Sequence, residues 1–145
     1  MATSKSGELR VRSVECNVLP RSMKHQNLRD RTRRFALDVI RFCERLPRDE
    51  TCKVIGRQLL RSGTAVGANY RAVCRSRSKP DFISKMGVVL EEADESAFWM
   101  ELLVEAGKVE ANDEASLLAE ANELVAISAA SVKTARGNGN VQHEE

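Results

Sequence analysis

Four carboxylates crowd one short stretch in the second half of the chain: Glu91, Glu92, Asp94 and Glu95. Paired helical carboxylates can hold two metal ions, but such a site in a bundle also needs Glu-x-x-His pairs that project inward. The chain has only two histidines, His25 and His143, and both fall in the predicted tails. The pattern therefore predicts no metal site.

Two of these carboxylates point to a structural role instead. Glu92 and Glu95 stand one helical turn apart, and Trp99 follows one turn further along the same side. A carboxylate near a core needs a counter-charge. We therefore expect Glu92 and Glu95 to pair with arginines of the preceding helix.

A second set of residues with chemical potential is basic: Arg57, Arg61, Arg71, Arg75, Arg77 and Lys79. Steps of four keep pairs of them on one helix face, and arginine binds phosphate bidentately. Contact with RNA or DNA is one interpretation, and a solvated or salt-bridged face is the alternative. Because the sequence shows no aromatic stacking platform and no known nucleic-acid motif, any such binding is expected to be mostly electrostatic.

Two glycines and one amide lie in the same segment. Gly63 and Gly67 are four residues apart inside a helical pattern, where each glycine costs about 1 kcal/mol relative to alanine. Their spacing puts both on one face, which favours a close helix contact within the bundle or between subunits, with a ligand crevice as the alternative. Asn69 falls beside the apolar seam, where a buried amide can fix helix register.

Nothing in the sequence matches an enzyme active site. It contains no Ser/His/Asp or Cys/His set in the predicted core, no Walker loop and no G-x-G-x-x-G after a strand, so we expect neither catalysis nor a cofactor. The four cysteines form no C-x-x-C pair, which excludes the usual zinc and redox motifs. No signal peptide and no apolar run approaching 18 residues is found, so we expect a cytoplasmic protein that avoids the membrane.

The elements that must position these residues are helices. Apolar side chains recur at steps of three and four over residues 27–46, 49–79, 81–106 and 112–136, a helical period. Asn27 is a plausible N-cap, Pro47 and Pro80 mark breaks, and Gly107 suits a helix end. Four helices with short connections pack as antiparallel neighbours. The chain is therefore predicted to be an all-α, up-down-up-down four-helix bundle over 27–136, with a disordered basic leader (1–26) and a flexible tail (137–145).

Charge is strongly segregated along the chain, although the net charge is only +2. Residues 1–34 carry nine Lys/Arg against three acids, residues 49–79 carry seven against two, and residues 80–125 carry two against twelve acids. Such asymmetry suits contact between basic and acidic surfaces of helices or subunits, and it equally suits a basic face for nucleic acid.

Three segments carry a resemblance to a known family: QLLRSGTAVGANY (58–70), DFISK (81–85) and EADESAFWMELL (92–103). Over residues 28–136 the chain resembles the bacterial four-helix-bundle proteins called 23S rRNA intervening-sequence proteins. The resemblance implies an antiparallel bundle that assembles as a homopentamer. A related branch serves as accessory protein to the reverse transcriptases of diversity-generating retroelements. The family has no established catalytic activity, and its usual N-terminus is shorter than the leader seen here.

Two functional hypotheses follow. The first is a non-catalytic oligomeric module that contacts RNA or DNA, with or without a docked protein partner. The second is a purely structural or protein-interaction bundle in which charge segregation serves self-assembly. The two hypotheses predict different directions for the arginine side chains of the second helix.

Overall fold

A computed structural model describes residues 27–137, which form four helices. They are α1 (Leu28–Glu44), α2 (Glu50–Val73), α3 (Lys79–Glu105) and α4 (Ala111–Gly137). The all-α, four-helix prediction is confirmed. The predicted disorder of residues 1–26 lies outside the described residues, as does the predicted tail beyond Gly137.

Short polar side chains begin three of the helices. The Asn27 side chain accepts a hydrogen bond from the Arg29 N–H, as an N-cap of α1. Asp49 caps α2 by accepting from the Cys52 N–H, and Ser78 caps α3 by accepting from the Asp81 N–H. Each cap satisfies a backbone donor that the first turn leaves without a partner.

The predicted boundary between the second and third helices was wrong. The second helix was expected to continue to Lys79 and to break at Pro80, but α2 ends at Val73 and Pro80 lies in the first turn of α3. Proline is tolerated there because the N–H it lacks would have no helical partner. Lys79 consequently belongs to α3, and Arg75 and Arg77 lie in the connection.

Sequential helices pack as antiparallel neighbours. α2 contacts both α1 and α3, α3 contacts α4, and α1 touches α4 much less than the other neighbouring pairs touch. A buried hydrogen bond of 2.9 Å joins the hydroxyls of Ser96 and Ser62 across the α2–α3 seam. The weak α1–α4 contact leaves an open groove of about 460 Å³, lined on one side by Arg34, Arg41 and Arg45.

The core is aliphatic, with a few buried aromatic rings at the α1 and α2 seams. Its fully buried side chains include Phe35, Leu59, Tyr70, Met86 and Met100. Among the described helices, α4 is long and apolar enough to span a membrane on length and hydropathy alone. Its buried residues instead form one side of the bundle core, from Leu117 through Ala135.

Candidate nucleic-acid interface

Glycines hold α1 and α2 close together. A Cβ built on Gly63 would lie 2.7 Å from both Cγ atoms of Val39, and one on Gly67 would lie 3.3 Å from the Thr32 carbonyl oxygen. Gly56 likewise faces Leu46. Both predicted glycines therefore lie at a helix contact inside the chain, where any larger residue would push the two helices apart.

Asn69 makes a local bond. Its Nδ2 donates to the Ala65 carbonyl oxygen at 2.8 Å, one turn back on the same helix. Side chains that bond back to the preceding turn are common for short polar residues in helices. The side chain is half-buried, and the bond links Asn69 to its own helix.

Three of the predicted arginines form an unpaired row. Arg57, Arg71 and Arg75 are exposed, and within residues 27–137 no carboxylate lies within salt-bridge distance of any of them. Arg57 and Arg71 lie on the outer side of α2, and Arg75 follows at its end. These guanidinium groups keep their hydrogen-bond donors available for another molecule.

Arg61 differs from its neighbours because it pairs with α3. Its guanidinium reaches Glu92 at 3.4 Å and forms a short ion pair with Glu95. The Arg61 hydrogen bond lowers the pKa of Glu95, and the Trp99 indole N–H donates to the same carboxylate at 3.2 Å. The predicted pairing of Glu92 and Glu95 with the second helix thus holds for one arginine.

Arg77 and Lys79 are exposed at the α2–α3 connection. The backbone N–H of Arg77 donates a hydrogen bond to the Asp81 carboxylate at 3.1 Å. Together with the Lys85 ammonium, this contact lowers the pKa of Asp81. The two cations therefore extend the basic surface to the end of the bundle, beside one carboxylate.

The sequence interpretation missed two arginines of this surface. Arg29 and Arg33 are exposed on α1, and Arg33 precedes Ala36 by three residues. Ala36 faces Gly67 across the α1–α2 contact, and Arg71 follows Gly67 by four residues, about one helical turn. Arg29 and Arg33 therefore lie on the side of α1 that adjoins Arg71. We define the basic face as the six exposed cations of this two-helix surface: Arg29, Arg33, Lys53, Arg57, Arg71 and Arg75.

One further arginine of α1 is already paired with α4. Arg31 donates to Glu120 at 2.6 Å and also to Glu123, so it ties α1 to α4. These hydrogen bonds raise the pKa of Arg31. On this surface the exposed carboxylates are Asp30, Glu44 and Glu50, which leaves six cations against three acids.

A buried carboxyl lies away from this face and was also missed. Glu114 in the first turn of α4 is 1% exposed, and neither of its carboxylate oxygens has a hydrogen-bond partner among the described residues. Burial raises its pKa to about 7, and repulsion from Glu101 on α3 adds to the shift. The described residues include no group of three or more His, Cys, Asp or Glu side chains suited to a metal ion.

Three of the four cysteines lie in the described bundle. Cys43, Cys52 and Cys74 form no disulfide in the part of the chain that the structure describes. Burial raises the pKa of Cys43 to about 11, so its thiol stays protonated at neutral pH. Because the thiolate is the nucleophile, Cys43 is chemically inert in the folded bundle.

Four antiparallel helices with a cationic two-helix face place the chain among small all-α bundle proteins. A comparison with protein families matches residues 24–130 to the 23S rRNA-intervening sequence proteins. The chain belongs to this family, which confirms the resemblance in its glycine-containing and carboxylate-rich segments. No curated protein matches the chain.

Solved structures support the same assignment. One similar structure is a protein of unknown function from the S23 ribosomal protein family of Bacteroides thetaiotaomicron. It is 29% identical, the match covers 73% of this chain and 95% of that chain, and the TM-score is 0.68. The shared fold therefore includes nearly the whole of that protein.

Proposed function

We propose that this chain is a non-catalytic, oligomeric module that binds RNA or DNA through its basic face. The observation that carries the proposal is the availability of the cations. Arg57, Arg71 and Arg75 are exposed and have no carboxylate partner among the described residues, although the neighbouring α3 is strongly acidic. Unpaired guanidinium groups on a rigid surface are suited to phosphate contact.

The binding is expected to be tolerant of sequence and sensitive to salt. Contacts to phosphates release condensed counterions, so the logarithm of the affinity falls by about 0.9 per phosphate contact for each tenfold increase in salt. Fluorescence anisotropy with labelled RNA and DNA at about 50 and 200 mM salt measures this slope. Repetition of the face around an oligomer would add avidity.

A charge-matched pair of variants assigns the site. The first replaces Arg57, Arg71 and Arg75 with Glu. The second replaces Arg34, Arg41 and Arg45 with Glu, three arginines that line the α1–α4 groove instead. Both variants change the net charge equally, so a general charge effect weakens both. We expect the first to bind more weakly and to lower the salt slope by about 2.7, from three lost contacts, and the second to retain most of the affinity.

The rival is a protein-interaction module without nucleic-acid binding. It is favoured by the pairing of Arg61 with α3 and by large apolar side chains at the surface, Val54 and Phe98, which are 48% and 49% exposed. If the full-length protein fails to bind any labelled strand at about 50 mM salt, the lower end of the range over which such contacts weaken, this rival is the better account.

The oligomer is a separate part of the proposal. The exposed apolar residues suit a second interface, and we propose a homopentamer that works in the cytoplasm, where the free thiols remain reduced. Light scattering at micromolar concentration is expected to give five times the 16.1 kDa chain mass. A particle of 16.1 kDa would contradict it.

A further inference from the structure

We infer that the basic face binds double-stranded nucleic acid in preference to a single strand, an inference that rests on the proposed nucleic-acid binding. The distribution of aromatic side chains is the first argument. Proteins that bind single strands pair a cationic groove with aromatic rings on which the bases stack. A duplex has already stacked its bases and needs only contacts to its backbone.

All six aromatic residues of the chain lie in the described region, and none belongs to the basic face. Phe35, Phe42 and Tyr70 are buried in the core. Phe82, Phe98 and Trp99 belong to α3, where the exposed carboxylates Glu91, Asp94 and Glu101 would repel phosphate. The cations and the rings are thus separated, and an unpaired base has nothing to stack on beside the arginines.

The rigidity of the face is the second argument. The close contacts at Gly63 and Gly67 fix α1 against α2, so the cations are held on one platform. Arg57 and Arg71 are fourteen residues apart on one helix, which corresponds to about 21 Å at 1.5 Å per residue. This span exceeds the major-groove width of about 12 Å. Cations at its two ends can therefore reach backbone phosphates on both sides of a groove.

Charge density is the third argument. The salt slope is about 0.9 per phosphate contact for a duplex and about 0.7 for a single strand. With the six cations of the basic face, this difference amounts to roughly fifteenfold in affinity for each tenfold reduction in salt. On going from about 200 to 50 mM salt we therefore expect the duplex preference to grow about fivefold.

The experiment compares a mixed-sequence DNA duplex of about two helical turns, roughly 20 base pairs, with one of its strands alone, chosen to lack self-complementarity. The RNA duplex and RNA strand of the same sequence form a second pair. Full-length protein is titrated into each labelled probe at about 50 and 200 mM salt. The duplexes are expected to bind more tightly at about 50 mM salt, and the ratio of duplex to single-strand affinity is expected to fall about fivefold at about 200 mM.

A substitution tests the stacking argument directly. Leu60 is 37% exposed on α2 and lies between Arg57 and Arg71 on the same side. Leu60→Trp places a ring on the basic face and should tighten binding of the single strand more than of the duplex. Ala126→Trp is the control, because Ala126 is exposed on α4, which makes no contact with α2 among the described residues.

The outcomes are distinguishable. Equal or tighter binding of the single strands would overturn the duplex preference and leave the proposed function standing. A Leu60→Trp variant with unchanged single-strand affinity would overturn the stacking argument. Loss of binding to every probe at about 50 mM salt would overturn the proposed function itself. A duplex preference that survives in the Arg57/Arg71/Arg75→Glu variant would remove the assignment to this face.

Discussion

Replacement of Glu114 by Gln should stabilise the protein above neutral pH and leave it unchanged in acid. The carboxyl is 1% exposed, and its two oxygens have no hydrogen-bond partner among the described residues. Burial, with a smaller contribution from Glu101, raises its pKa from an ordinary 4.5 to about 7. The folded protein therefore holds this proton more tightly than the unfolded chain does.

The sign and size of the effect follow from proton linkage. Because the folded pKa is raised, the full stability is present below the unfolded pKa of 4.5 and is lost as pH rises through about 7. Each pKa unit corresponds to about 1.4 kcal/mol, so the ionised group costs about 3 kcal/mol at pH near 8. The N-terminal end of α4 favours a negative charge by only about 0.3–1 kcal/mol, which is too little to reverse the sign.

The assay is urea unfolding of wild type and Glu114→Gln at equal protein concentration, at pH about 5 and about 8, below and above the folded pKa. Glutamine has the shape of a protonated glutamate but carries no charge at either pH. We expect the two proteins to differ little at the lower pH. At the higher pH the variant is expected to be more stable by about 2–3 kcal/mol. Because the two proteins differ only at residue 114, the difference between them isolates Glu114.

Two further variants complete this test. Glu110→Gln makes the same chemical change at an exposed position and should shift stability little at either pH. Glu101→Gln removes the repulsive neighbour and should stabilise the protein in the same direction by a smaller amount. If Glu114→Gln shifts stability equally at both pH values, Glu114 is hydrated in the folded protein and the reasoning is refuted.

Three other predictions concern the bundle itself. Gly63→Ala should destabilise the protein by about 1–3 kcal/mol because the added methyl group would clash with α1. At Gly87 an added methyl group meets nothing within 4 Å, so Gly87→Ala should stabilise the protein by up to about 1 kcal/mol. Thermal unfolding compares the two variants, and equal shifts in stability would contradict the close contact at Gly63. Ser62→Ala and Ser96→Ala should each lower the free energy of unfolding in urea by about 1 kcal/mol. The double variant should lower it by less than their sum, because the two serines share one buried hydrogen bond. Simple additivity would contradict this coupling. Cys43 should react with a thiol reagent at pH about 8 only as fast as the bundle opens, since burial raises its pKa to about 11. Rapid labelling of the native protein that disappears in the Cys43→Ser variant would contradict this expectation.

The architecture was readable from the sequence because the helical period, the caps and the breaks agree. Asn27 begins α1 as predicted, and the other helices begin and end within a few residues of expectation except at one boundary. That boundary failed because Pro80 was interpreted as a break. In fact Ser78 supplies the cap and Pro80 fits the first turn of α3, a use of proline that the pattern also permitted.

The missed carboxyl had a signal in the sequence. Apolar residues of the fourth helix recur at Leu117, Ala121 and Leu124, and one further step of three toward the N-terminus reaches Glu114. A carboxylate on a core position is the kind of inconsistency that marks a buried charge. Its lack of a partner, by contrast, depends on which side chains the neighbouring helices place around it, and no spacing along one helix reveals that.

The exposed arginines show how far net charge can mislead. Segment totals were equally compatible with an α2 that the acidic α3 neutralises and with an exposed basic face, and the angular position of each side chain decides. Ser62 faces α3 through its bond to Ser96, and each residue along a helix turns by about 100°. Arg61 is therefore about 100° from Ser62, near enough for a long side chain to reach Glu92 and Glu95, whereas Arg71 is about 180° away. The acids of α3 can neutralise only the edge of α2 that adjoins them, and the opposite side keeps its charge whatever the totals are.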